Sequence, residues 1–368
     1  MSIEAAIAET AIDDTRAEQA SEDGSGAAVD HVLRIVNDSA VGVLLSIAFQ
    51  AGLLDALRDL PPATSQQVAD AAGLDERYVR EILHGLLTAG LVAEDASRYR
   101  LRDEYVPFLT GSGVDNLARM ARYLTLMGEA TRKVVEKVAS GGGLGYDEYP
   151  MFNQWQAEES AAVNDASLVD VIIPVAGVEE RLAAGADVAD IGCGAGHAIN
   201  LLARAFPRSR FTGFDFSDAA ITTARTEAEA WGLSNARFEV LDVATWDAEA
   251  EFDLVTAFDV IHDLARPAET LAAVHRALRS DGTFLMVDLK ADSDPAQNAS
   301  LPWAAFLYAF STVHCMSVSL GQGGAGLGTA WGVQLAERML REAGFGTVNI
   351  VDLEDDPFNA YFVARPAA

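Results

Sequence analysis

The residues best placed to do chemistry stand in one short glycine run. Asp190-Ile191-Gly192-Cys193-Gly194-Ala195-Gly196-His197 closes an apolar segment and opens a helical one. Glycines at 192, 194 and 196 allow positive φ and let a ligand approach the backbone, while the following helix offers free N–H groups and its positive dipole end to an anionic group. The spacing is G-x-G-x-G. A dinucleotide site wants G-x-G-x-x-G, with glycine where His197 stands. Asp190 would set a carboxylate beside a pyrophosphate, and it suits an amino group instead. Two more carboxylates end the next apolar runs. Asp215, after Phe211-Thr212-Gly213-Phe214, is placed to accept two hydrogen bonds from a ribose diol. Asp242, after Phe238-Glu239-Val240-Leu241, suits an exocyclic adenine amine. Cys193 has no base beside it in sequence and reads as a small wall residue.

The elements that must position these groups follow from the apolar pattern. It predicts strands at 187–191, 210–215, 236–241, 253–258 and 283–289, with helices at 197–205, 218–231 and 267–279 between them. After a long insert come a helix at 331–344 and two strands, about 347–353 and 359–364, close enough for a hairpin. That alternation predicts an α/β, Rossmann-like doubly wound seven-stranded sheet with an antiparallel C-terminal hairpin, and ligands at the carboxyl ends of its strands. Upstream, Asp30 to Leu60 carries apolar residues at helical spacing, including Val32, Leu33 and Val36, and predicts one or two core helices ended by Pro61-Pro62. Helices at 65–72 and 76–90 and a hairpin around Asp95-Ala96-Ser97 then make a winged helix. A helix at 114–140 runs into Gly141 to Gly145, read as a linker or hinge, and helices continue to Leu182.

The expected organisation is therefore an acidic disordered tail at 1–27, a mostly helical winged-helix and dimerisation domain at 28–112, and a helical connector roofing the pocket at 113–184. A ligand-binding domain fills 185–368. Its insert, 291–330, is too long for an ordinary connection. It carries an apolar, aromatic stretch and a glycine-rich segment, Gly321 to Gly328, read as a flexible loop. We read the insert as a substrate lid contributing Trp303, Tyr308, His314 and Met316, with interdomain packing as the other use of its aromatics.

Glycine turn, ribose acid and adenine acid in order on successive strands resemble the class I S-adenosylmethionine-dependent methyltransferases. That resemblance implies S-adenosylmethionine as cofactor, its methionine end held by Asp190, Gly192, Cys193, Gly194 and Gly196, its ribose by Asp215 and its adenine by Asp242. Phe216, Val243 and Phe258 are the expected walls. With a winged helix in front, the chain is similar to the small-molecule O-methyltransferases of plants and actinobacteria. It is similar also to an actinobacterial group of mostly unassigned substrate, through Ile261-His262-Asp263, Thr312 to Met316 and Gly323 to Gly328. In the O-methyltransferases a His-Asp pair after the fourth strand supplies the general base. His262 and Asp263 fall there, although Leu264 stands where that family typically has tryptophan. His262 would then deprotonate or orient a small, aromatic or apolar acceptor, with oxygen the favoured nucleophile. As an alternative, His262, Asp263 and His314 offer two histidines and a carboxylate, the ligand set of an open non-haem iron or other divalent metal site. Similar triads occur in 2-oxo-acid C-methyltransferases.

Composition bounds the partners. Over 368 residues, 26 basic against 55 acidic side chains leave a formal net charge of −29, and lysine occurs at 133, 137 and 290 alone. Nucleic-acid binding needs a basic face, so DNA is a poor partner and the second class of reading, a ligand-sensing winged-helix regulator, ranks below the enzyme. The longest apolar stretch noted, Ala40 to Leu54, is interrupted by Ser46 and Gln50 and is too short for a membrane span. Two distant cysteines and seven acids with one arginine before Ala27 suggest neither a disulfide framework nor a secretory leader. The expectation is a cytoplasmic homodimer, joined through its N-terminal domain, that meets a small molecule, with no nucleic acid and no membrane.

Overall fold

The computed structural model describes residues 25–149 and 151–367. Most of the expected acidic tail, residues 1–24, lies outside them. The chain forms two compact units, Met1–Thr125 and Leu126–Ala368.

In the first unit a single helix spans Ser25–Gln50, followed by Leu53–Asp59. Thr64 and Gln67 form a reciprocal capping box that starts the helix Ser65–Ala72, and Asp75 caps Glu76–Thr88 by accepting from the amides of Arg77 and Tyr78. Strands β1 (Val92–Asp95) and β2 (Arg98–Leu101) pair antiparallel across Ala96 and Ser97, both at positive φ. This is the winged helix that the pattern predicts. The core is Leu53, Leu54, Val68, Val79, Leu83 and Leu86 with their neighbours. The long helix departs from expectation: Val32, Leu33 and Val36 are 58%, 52% and 62% exposed, so this face is not core within the unit. Its continuity also lengthens the apolar stretch, and Gly26–Gln50 and Ala304–Gly321 are both long and apolar enough to cross a membrane by length and composition. Asp30, Arg34 and Asp38 interrupt the first, and part of the second is buried in its own unit.

The second unit is built on a seven-stranded sheet: β3 (Asp187–Ile191), β4 (Arg210–Asp215), β5 (Ala236–Val240), β6 (Phe252–Phe258), β7 (Leu278–Leu289), β8 (Phe345–Val351) and β9 (Asn359–Pro366). Their spatial order is β5-β4-β3-β6-β7-β9-β8, with β9 antiparallel to its neighbours β7 and β8 and the five strands β3 to β7 parallel to one another. Alternate residues face opposite layers. Ala189, Val255 and Met286 pack with the helices Pro267–Ala277 and Val333–Glu342, whereas Val188, Leu254 and Leu285 pack with His197–Ala205 and Asp218–Ala230. Strand order reverses between β3 and β6, which places the crevice for a ligand above their carboxyl ends.

Two glycine-rich segments are not the hinges they resemble in sequence. Gly143 lies so close to the insert helix that a Cβ there would sit 1.8 Å from Ser317 O, and the Leu144 amide donates to Ser317 Oγ at 3.0 Å. The segment 321–328 is pinned along the turn at 262–265: Ala325 N donates to Ala265 O, Gly328 N to His262 O, and Ser319 Oγ to Leu264 O. These glycines serve close backbone approach, which a flexible-loop reading misses. Gly143→Ala should therefore lower stability by about 1–3 kcal/mol, as overpacking does. A chemical-denaturation midpoint reads this directly, and an unchanged midpoint would show that the strand-like segment and the insert helix are not locked together.

Candidate active site

The glycine turn caps β3. Gly192, Gly194 and Gly196 all take positive φ, and Gly196 stands at the N-cap of His197–Ala205. What surrounds each differs. A Cβ on Gly192 would meet Val260 Cγ1 at 2.6 Å, and one on Gly196 would meet Ala224 Cβ at 2.4 Å and Phe238 Cε1 at 2.5 Å. Nothing lies within 4 Å of a Cβ on Gly194. The outer two glycines are thus wedged into the protein, and the middle one faces open space where a ligand can approach the backbone.

Carboxylates line this turn. Asp215 accepts from Gly194 N at 3.0 Å and Ser217 N at 2.8 Å, and burial raises its pKa despite those two amides. Asp190, 2% exposed, accepts from Thr256 Oγ1 at 2.6 Å, and burial pushes it up to about 7. Such a carboxylate is ready for a cationic partner, which would pull its pKa back down. Asp242 caps the turn Val243–Thr245 by accepting from Ala244 N and pairs with Arg266 at 2.5 Å. Val243 is buried beside it, and Phe258 ends β6 half-buried. Burial raises the Cys193 thiol, which fits a wall and not a nucleophile. Phe216 is half exposed and meets the Tyr146 ring at 5.3 Å.

Next to this cradle, the turn Ile261–Asp263 follows β6. His262, 3% exposed, engages Asp288 Oδ1 through Nδ1 at 2.7 Å, and its Nε2 lies 3.2 Å from Asp263 Oδ1. Burial by itself would lower this imidazole's pKa, but the Asp288 and Asp263 charges more than reverse it and hold it well above the ordinary value. A carboxylate near each nitrogen favours the protonated imidazole, which weighs against the expected free-base role. Asp259, held at positive φ, lies nearby, and burial with the Asp288 charge pushes it up to about 7.

The insert brings His314 to this turn. It sits in a π-turn, Ser311–Cys315, whose wider winding leaves His314 and Cys315 both buried. The His314 ring stacks on Phe152 at 3.7 Å, meets Tyr149 and Tyr146 edge-on, and lies 4.0 Å from Asp263 Oδ2 through Nδ1. Its Nε2 has no hydrogen-bond partner, and burial lowers its pKa to about 4, so it is neutral. The other lid residues go elsewhere: Trp303 packs on Phe358, the Tyr308 hydroxyl accepts from Asn298, and Met316 lies beside Gly328. Among the described residues the ligand atoms that converge within 4.8 Å are those of His262, Asp263 and Cys315, not the expected triad with His314. Their chemistry does not suit a metal. Burial pushes the Cys315 thiol up to about 12, and the neighbouring carboxylates favour protonated His262, so each would have to give up a proton before it could ligate.

Sequence reasoning missed Asp288, Tyr146, Tyr149 and Phe152. Asp288 had a usable signal, because it stands one residue before the end of β7, much as Asp215 ends β4. The three aromatics lie in a segment with no motif, and only packing brings them to His314.

Residues 182–344 match the family model described as a methyltransferase domain, and residues 39–111 match the Rv2258c-like winged HTH domain. Among curated relatives, a malonyl-[acyl-carrier protein] O-methyltransferase of Paenibacillus sp. is 32% identical over 101 residues, a match covering 27% of this chain and 37% of that protein. The chain thus spans well under two thirds of that relative. A methyltransferase of Aspergillus campestris, ungE', is 23% identical over 310 residues, covering 77% of this chain and 84% of the other. Human N-acetylserotonin methyltransferase, solved in complex with S-adenosylmethionine, superposes with a TM-score of 0.66 at 17% identity, over 92% of this chain and 98% of that one, which shows a shared fold.

The differing surroundings of the turn glycines give a test. Gly194→Ala should cost about 1 kcal/mol of backbone strain at most, while Gly196→Ala, which also clashes, should cost several. Parallel thermal melts decide it, and equal losses would mean that Gly194 does not border open space.

Proposed function

We propose, from the premise that residues 182–344 are a methyltransferase domain behind a winged helix-turn-helix domain at 39–111, that this chain transfers a methyl group from S-adenosylmethionine to a small-molecule acceptor, with oxygen as the accepting atom. The single observation that carries this reading is the cradle itself: a turn whose middle glycine faces open space, with the Asp190 and Asp215 carboxylates beneath it. When bound, the cofactor supplies an electrophilic methyl on a sulfonium sulfur. Asp190 would take its ammonium group, the Gly192–Gly196 amides and helix end its carboxylate, and Asp215 the ribose diol. Asp242, Val243, Phe216 and Phe258 would hold the base.

The acceptor side is the turn of His262 and Asp263 with the aromatic rings around His314. Methyl transfer from sulfur needs the nucleophile about 3–3.5 Å from the methyl carbon and in line with the leaving sulfur, so positioning by rigid walls contributes much of the acceleration. Tyr146 supports one continuous cleft, because its hydroxyl feels the Asp263 and Asp215 charges as well as burial, and all three raise its pKa. The exposed apolar face of Ser25–Gln50 supports the homodimer: a second copy of the chain would cover it. On the winged helix, Arg77 and Arg80 pair with Glu81 and Glu76 on the same helix, which favours a packing role over DNA contact. A mobility-shift assay at low salt separates the regulator from the enzyme, since specific shifts would favour the former.

Two measurements test the cofactor assignment. Asp215→Ala should weaken S-adenosylmethionine binding by about tenfold or more in calorimetry, the loss expected for charge-assisted hydrogen bonds, and unaltered affinity would sink it. Because Asp190 titrates at about 7 in the ligand-free fold and must be ionised to pair with the ammonium, affinity should rise with pH up to about 7 and level off above it. A binding curve flat between about pH 5.5 and 8 would remove Asp190 from the contact.

A further inference from the structure

Charge is distributed unevenly around the His262 turn. Asp259, Asp263 and Asp288 bear on one another and on His262, and Asp356 bears on Asp259. Among the described groups that act on these carboxylates, His262 is the cation; His314 is neutral, and Lys290 is engaged with Asp352. One imidazolium therefore faces several carboxylates, and Asp288 and His262 are both sealed from solvent, at 1% and 3% exposure. Asp263 is less sealed than His262 and Asp288: its side chain is 15% exposed. Its Oδ1 is close to His262 Nε2 but is not aligned as a hydrogen bond, and it has no hydrogen-bond partner.

We propose that Asp263, and not His262, meets the acceptor, and that the site therefore takes small molecules that present a hydrogen-bond donor and are uncharged or cationic, while it turns away carboxylates. A partly exposed carboxylate beside an already negative cluster calls for a donor, and a second anion brought there is repelled with little screening. His262 stands behind Asp263, with its Nε2 3.2 Å from Asp263 Oδ1. This rests on the methyl-transfer reading above. In the transfer step the acceptor O–H bond breaks and its proton passes to an Asp263 oxygen. The acceptor oxygen's electron pair forms the new bond to the methyl carbon, and the carbon–sulfur pair remains on sulfur.

The test uses the full-length chain loaded with S-adenosylhomocysteine and three probes of one shape: 4-hydroxybenzylamine, 4-hydroxybenzamide and 4-hydroxybenzoate. Calorimetry on the wild type should find the benzoate about tenfold weaker or worse than the other two. Asp263→Asn, which keeps the shape and loses the charge, should shrink that gap to about threefold or less, whereas Asp263→Glu should preserve it. Benzoate binding as tightly as the amide, a gap that survives in Asp263→Asn, or no binding of any probe overturns the proposal. A parallel S-adenosylmethionine titration separates the two levels of argument. Wild-type protein that takes up no cofactor defeats the methyl-transfer reading itself, while Asp263→Asn that takes it up normally is folded and makes the probe result decisive. Should Asp263→Asn not fold, the wild-type ranking and Asp263→Glu still decide.

Discussion

The close approach of Gly192 to Val260 sets the geometry on which the site depends. β3 and β6 are neighbours at the point where the strand order reverses, and the turns leaving them abut because one side has no side chain. Two residues beyond Val260 stands His262, and one further Asp263. The cradle and Asp263 are therefore held side by side by the pairing of β3 with β6 and by the close fit of Gly192 against Val260. For the proposed methyl transfer, whose rate would depend on a few tenths of an ångström, such a fit is worth more than its modest dispersion energy. On its far side the same turn is fixed by Gly196 against Ala224 and Phe238, so the cradle has little freedom to slide along the sheet.

The acceptor side inherits that rigidity through backbone hydrogen bonds. The insert is attached to the 262–265 turn at His262 O, Leu264 O and Ala265 O, and its helix is wedged against Gly143 and Leu144. A segment fastened at so many backbone groups does not swing as a lid. It behaves as a wall, and its π-turn aims His314 and Cys315 inward from consecutive positions. Entry of a ligand is then a matter for side chains such as Tyr146 and Phe216, which meet across the opening, more than for the insert backbone.

Much of this was legible in the sequence, for stated reasons. The sheet was readable because buried parallel strands are short apolar runs with helices between them, and the three candidate acids because each stands at or near the end of such a run. Strand ends were less so: β7 starts at Leu278, five residues before the predicted strand, because Phe252 pairs with Leu278 ahead of a register shift. The glycine segments at 141–145 and 321–328 misled because glycine marks both mobility and tight backbone packing, and composition does not separate them. Val32, Leu33 and Val36 misled in another way. Helical spacing identifies an apolar face but not whether the same chain covers it.

The role of His262 illustrates the deeper limit. A histidine followed by an aspartate names two titratable groups, and from sequence either order of duty is open. What decides is Asp288, 26 positions downstream in the hydrogen-bonded pair, which claims one nitrogen while Asp263 faces the other. Burying such a pair is weak evidence for stability, because desolvation offsets the Coulombic gain. Its retention in the core is better explained by what it does to the neighbour. His262 Nε2 lies 3.2 Å from Asp263 Oδ1, so the histidine stands against that carboxylate as well as against Asp288. In the proposed site the histidine would act from behind the residue that meets the acceptor, and Asp288, one residue before the end of β7, makes that arrangement possible.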